Sequence, residues 1–154
     1  MLAHEPPGKA VRGPSSPAAV PAGGDLVDVT IPVGPGLPGS ARAAVTVWLD
    51  GRAPACVLGD ALLLVSELVT NSYLHAGEML GASVRVRARA YARTLWFEIG
   101  DGGRDGDVVR RSPGADGRGG YGLHLVELLA SSWGVTHVEG TQVWFTLALP
   151  GEAA

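Results

Sequence analysis

Glu67 and Asn71 stand four residues apart in the stretch Leu62–Gly77, LLLVSELVTNSYLHAG. At about 100° per residue this spacing puts a carboxylate and an amide on one face of a helix. Side by side, their oxygens form either the solvated strip of an amphipathic helix or the polar wall of a cleft that takes a polar ligand. Leu62, Val65, Val69, Tyr73 and Ala76 form the opposite face. Leu63, Leu64, Leu68 and Leu74 flank the polar strip closely, and a helix that is apolar nearly all round is normally buried. A second candidate is Asp101. It continues the inward parity of Leu95, Phe97 and Ile99 at the end of a strand, and an unpaired buried carboxylate is costly. Asp101 either turns outward with Gly102 and Gly103 or accepts a hydrogen bond from a ligand. The third candidate is Gly119-Gly120-Tyr121-Gly122, directly before the helical stretch Leu123–Ala130. Backbone N–H groups at a helix N-terminus can hold an anion, assisted by the helix dipole. Glycines also serve ordinary turns. No Lys-Ser or Lys-Thr follows, and no tight βαβ unit frames the loop, so it is neither a P-loop nor a dinucleotide fingerprint.

The elements that must position these residues follow from periodicity. With 154 residues, 46% of them apolar and 18% charged, the chain suits one domain with a sizeable core. A net charge of −3 disfavours a nucleic-acid partner. The single cysteine, Cys56, excludes an intrachain disulfide or a cysteine metal cluster and reads as a small core hydrophobe. No stretch reads as long and apolar enough to span a bilayer, and no signal peptide is visible at the N-terminus. A cytoplasmic location is the resulting expectation.

Residues 1–24 are rich in Pro, Ala, Gly and Ser and read as a disordered leader. Residues 25–150 read as the domain, and 151–154 as a tail. Leu26 to Val33 is an edge strand, since Pro32 lacks a donor. Gly34–Gly39 is a loop, and Ser40 an N-cap for a helix through Leu49. The central helix runs from Ala55 or Cys56 to Gly77. Ser83–Ala92 alternates Val84, Val86, Ala88 and Ala90 against Arg85, Arg87 and Arg89, and a tight turn at Ala92-Arg93 leads into Thr94–Gly100. The arginine row is either a solvated sheet face or a docking surface for an acidic partner. In the next strand Trp96 and Glu98 face outward. Residues 104–120 form a long loop, the type that is usually functional or mobile. Ser131–Gly134 ends the last helix, and Val135–Glu139 with Gln142–Leu149 forms a hairpin. The fold class is α+β: a two-layer sandwich of a mainly antiparallel sheet with helices on one face.

In order and spacing, SELVTNSYLHA, DGG and GYGLHLVELLASSWG resemble the asparagine box and the two glycine boxes of the Bergerat-fold (GHKL) ATPases. That superfamily includes DNA gyrase, heat-shock chaperones, mismatch-repair proteins and sensor histidine kinases. The resemblance covers Asp25 to Pro150, and within the superfamily it is most similar to bacterial anti-sigma-factor serine/threonine kinases. It implies ATP and Mg²⁺ as cofactors. Asn71 would ligate Mg²⁺ through its amide oxygen, and Glu67 would be the general base. Asp101 would accept from the adenine amino group, and Gly103 would let the backbone pass close to the base. Gly120, Gly122 and Leu123 would contact phosphates through the backbone. Residues 104–119 would form a lid, with Arg118 reaching a phosphate. Two positions depart from the pattern: Leu74 stands where these regulators usually carry arginine, and Asp105 where the first glycine box often carries a second glycine. His75 matches the family's histidine and reads as packing. His124 reads as structural or solvent-facing. Trp133 and Trp144 read as core or sheet-face aromatics.

The implied function is a Mg-ATP-dependent serine/threonine protein kinase that sequesters a sigma factor and phosphorylates an anti-sigma antagonist. Its partners would be proteins, with no direct nucleic acid and no membrane, and homodimerisation stays open. The alternatives are a non-catalytic ATP-binding interaction module and a detached ATPase half of a sensor kinase.

Overall fold

The computed structural model describes residues 26–76, 82–101, 121–136 and 141–151. The element order is β1 (Leu26–Pro32), α1 (Leu37–Leu49), α2 (Ala55–Ala76), β2 (Ser83–Tyr91), β3 (Thr94–Asp101), α3 (Tyr121–Leu129), β4 (Ser132–Thr136) and β5 (Gln142–Ala148). The expected leader at 1–24, the lid at 104–119 and the terminator Gly77 lie outside the described residues.

The five strands form one sheet in the order β1-β2-β3-β5-β4, with every neighbouring pair antiparallel. β5 therefore inserts between β3 and β4, and β1 and β4 are the edges. Pro32 sits on an edge strand, where its missing N–H breaks no ladder. Strand parity decides which face is core. Val27, Ala88, Phe97, Phe145 and Trp133 are matched across the register, as are Val29, Val86, Ile99, Val143 and Val135. All of these except Val135 meet Leu37, Ala41, Val45, Trp48 and Leu49 of α1, Val57, Ala61, Leu64, Val65, Leu68 and Val69 of α2, and Val126 of α3 in one cluster. The helices thus cover one face of the sheet, as the two-layer α+β reading requires. At its centre Phe97 stacks on Phe145 with centroids 4.8 Å apart, and Trp48 meets Phe97 edge-on at 6.0 Å.

Several local expectations are corrected. α1 begins at Leu37, inside the stretch expected to be a loop, and Ser40 is not its cap. Gly36 is the N-cap, Pro38 tolerates the first turn because that turn's N–H groups need no intrahelical partner, and Leu37 is fully buried. β4 begins at Ser132, not Val135, because Ser131 N–H donates to Thr146 O at 2.8 Å and pairing starts there. Cys56 is exposed, since it falls on the outward strip of α2's first turn. The Ala55–Leu74 stretch is long and apolar enough to cross a membrane by length and composition, contrary to the expectation from sequence. Its buried residues are part of the domain core.

The outer sheet face is more closed than alternation suggests. Trp96 and Glu98 do lie opposite Phe97, but they are only 4% and 6% exposed. The Arg87 guanidinium sits 5.5 Å from the Trp96 ring centroid, and its Nε donates to Glu98 at 2.9 Å. Arg85 makes a two-pronged contact with Asp28, at 2.8 and 2.6 Å. Arg89 is also engaged. Each arginine of the row thus makes a contact within the chain. Trp144 lies over Gly134, where an added Cβ would come within 2.8 Å of the indole.

Candidate functional site

α2 supplies Glu67 and Asn71. It persists for 22 residues because its core face, Val57 to Val69, is continuously apolar and free of proline. Around the helix at about 100° per residue, the order is Leu63 and Leu74, then Glu67, then Asn71, then Leu64 and Leu68. Leu64 and Leu68 are buried, whereas Leu63 and Leu74 are exposed. Glu67 and Asn71 are both half-buried, on the boundary between core and outside. They are thus neither a plain solvated face nor part of the core. Among the described residues, neither side chain has a hydrogen-bond or ion-pair partner. Half-buried side chains without a described partner leave their oxygens available to a ligand.

The topology brings the end of β3 to the end of the sheet where β2 begins. Asp101 is the last residue of β3 and is in register with Val84, the second residue of β2. β2 follows α2 after residues 77–82, so the C-terminal half of α2, which carries Asn71, leads to this end. Position 101 stands two residues beyond Ile99 along β3. Its side chain lies outside the described residues. α3 passes into β4 through Ala130 and Ser131, where Ser131 N–H donates to Thr146 O. β4 then runs to Thr136, in register with Gln142, which is itself in register with Gly100. α3 itself packs against α2 and carries Val126 into the core.

Gly103, Arg118 and Gly120 lie outside the described residues, as do the side chains of Leu123 and His75. His124 is exposed on α3, in keeping with a solvent-facing role. Trp133 packs against the core and Trp144 on the outer face. Among the described residues no group of three or more His, Cys, Asp or Glu could form a metal cage. What sequence reasoning misses is that the exposed strip of α2 runs on through Leu63 and Leu74. Their helical angle, opposite Val65, is the signal that could have found it.

Among the described residues, only two titrating groups are clearly perturbed, and they are remote from α2. The hydrogen bond from Arg85 holds the Asp28 carboxyl below its ordinary 3.8, and the same contact raises Arg85.

No curated protein matches the chain. A family model described as histidine kinase-like ATPase domain matches residues 35–147, which span α1 through most of β5 and include Glu67, Asn71, Asp101 and the α3 N-terminus. On that match and this α+β fold, the chain belongs to the histidine kinase-like ATPase domain family.

Proposed function

We propose that the protein is a Mg-ATP-dependent serine/threonine protein kinase of the anti-sigma-factor type. In this reading it binds a sigma factor and phosphorylates an anti-sigma antagonist. Membership of an ATPase domain family implies ATP binding. The observation that carries the finer reading is the pairing of Glu67 with Asn71: half-buried, one turn apart and without a described partner.

The residues present fit a magnesium ion. Asn71 offers a hard amide oxygen, and Mg²⁺ commonly takes one or two protein ligands while keeping water and substrate phosphates. Bound there, Mg²⁺ supplies positive charge against the phosphates. Asp101 would accept from the adenine amino group. Gly103 would let the backbone approach the base, and Arg118, Gly120, Gly122 and Leu123 would hold the phosphates. Glu67 would take the proton of the acceptor hydroxyl as that oxygen bonds to the γ-phosphorus. The bond from γ-phosphorus to the β–γ bridging oxygen breaks, and ADP leaves. Partner binding and a cytoplasmic location belong to the same proposal.

Labelled ATP and a panel of candidate antagonist proteins test it. The wild type should transfer label to a serine or threonine. Glu67→Gln should retain ATP affinity within about twofold while transfer falls by at least about 10²-fold, the usual range for a general base. Equal transfer by Glu67→Gln would remove that residue from the chemistry. ATP binding with no transfer by the wild type would make the domain a non-catalytic module.

A further inference from the structure

The outward strip of α2 continues on both sides of Glu67. Leu63 is 42% exposed and Leu74 54% exposed. Eleven residues apart, they lie within about 20° of each other on the helix, and Glu67 lies about 40° from Leu63. Leu128 and Val47, also exposed, are on α3 and α1 and do not extend this strip. Single exposed leucines are ordinary. Two in line, with half-buried Glu67, which has no partner among the described residues, between them, form a track. α2 carries two carboxylates, Asp60 and Glu67, and no lysine or arginine anywhere along its length.

We infer that Leu63 and Leu74 are specificity contacts for the acceptor segment. The segment they select is an extended peptide with apolar side chains on both sides of its hydroxyl and without acidic neighbours. The inference rests on the phosphotransfer reading of Glu67. Its geometry follows from helix rise: Leu63 lies about 6 Å along the axis from Glu67, and Leu74 about 10 Å on the other side. At about 3.3 Å per extended residue, these contacts fall about two residues to one side of the acceptor and three to the other. Burying part of each leucine against an apolar side chain supplies affinity. An acidic segment would instead bring its charge against Asp60 and Glu67 with no cation on the helix to offset it.

The full-length chain, Mg-ATP and two synthetic nonapeptides make the test. One peptide carries serine with leucines at two and three residues on each side, so that either direction of binding is served. The other carries aspartate at those positions. The expected result is transfer to the leucine peptide, with KM at least about tenfold lower than for the aspartate peptide, a typical discrimination for one apolar contact. Leu63→Asp and Leu74→Asp should each raise KM for the leucine peptide by about tenfold. ATP affinity should stay within about twofold, and Val47→Asp on α1 should change neither. Cys56, the single cysteine and exposed on the same strip, gives a readout independent of turnover. A photo-crosslinker attached there should capture the leucine peptide, with capture lost in Leu63→Asp. Equal KM in all variants, or equal use of both peptides, overturns the inference and leaves the phosphotransfer reading standing. ATP binding without transfer to any hydroxyl overturns both.

Discussion

Glu98 is almost fully buried on a face that alternation alone assigns to solvent. Its carboxylate is made tolerable by Arg87, which also lies against Trp96. Removing one partner of such a pair costs far more than replacing both, because it leaves a buried charge alone. Arg87→Ala should therefore lower unfolding free energy by about 3 kcal/mol, with a substantial part regained in Arg87→Ala/Glu98→Gln. Urea denaturation of the three proteins checks this. The Asp28–Arg85 pair is more exposed, and its contribution is about 0.5 kcal/mol. Because the folded Asp28 titrates below its ordinary 3.8, its stabilisation is fully present above that value and is lost as pH falls through the lower folded value. The stability difference between wild type and Asp28→Asn should be flat from neutral pH down to about 5. It should then vanish in more acid solution and shrink in high salt. Denaturation midpoints across that pH range measure it. The alternation of Arg85, Arg87 and Arg89 is visible in the sequence but their partners are not, because partnership depends on which strands lie side by side.

At the scale of elements, the clearest surprise is β4. Small residues and glycine commonly stop a helix, so Ser132, Trp133 and Gly134 look like a helix end in the sequence. They pair with β5 instead, because Trp133 then joins Phe145 on the core face and Gly134 leaves room for Trp144 on the other. Gly134→Ala should displace the Trp144 ring and destabilise the fold by about 1–3 kcal/mol, the cost of overpacking. Near-ultraviolet circular dichroism, which reports tryptophan packing, should change along with the denaturation midpoint. α1 teaches a similar lesson at its other end. Proline and glycine give residues 34–39 the look of a loop, yet a buried Leu37 and a proline suited to the first turn let the helix begin there. The turn between β2 and β3 is legible in the sequence, although Ala92 adopts φ 48°, a left-handed conformation that local sequence does not request.

For the whole molecule, ligand binding and folding are one linked equilibrium. A nucleotide that binds only the folded chain at a hundred times its Kd adds about 2.7 kcal/mol of stability. For a domain of this size that raises Tm by roughly 5–10 °C. Mg-ATP should therefore shift the thermal transition, and Asn71→Ala should remove the part of the shift that depends on Mg²⁺. Scanning calorimetry with ATP alone, with Mg-ATP and with the variant separates the two contributions. An equal Mg²⁺-dependent shift in Asn71→Ala would place the metal ligand elsewhere.

The pairing of Glu67 with Asn71 is determined by the sequence by itself, because helical spacing is a local property of the chain. The same holds for α3, which is expected over Leu123–Ala130 and found over Tyr121–Leu129. The α+β class is equally legible, since strands of period two and helices of period 3.6 leave different apolar patterns. Tertiary structure decided what those patterns do not encode. It set β5 between β3 and β4, which leaves β4 as an edge strand. It buried Leu64 and Leu68 while leaving Leu63 and Leu74 outside, so that the polar pair stands at a boundary instead of on an open face. It also gave the arginine row contacts such as those with Asp28, Glu98 and Trp96. Each of these depends on which element lies beside which, a matter of long-range packing that no window of neighbouring residues contains.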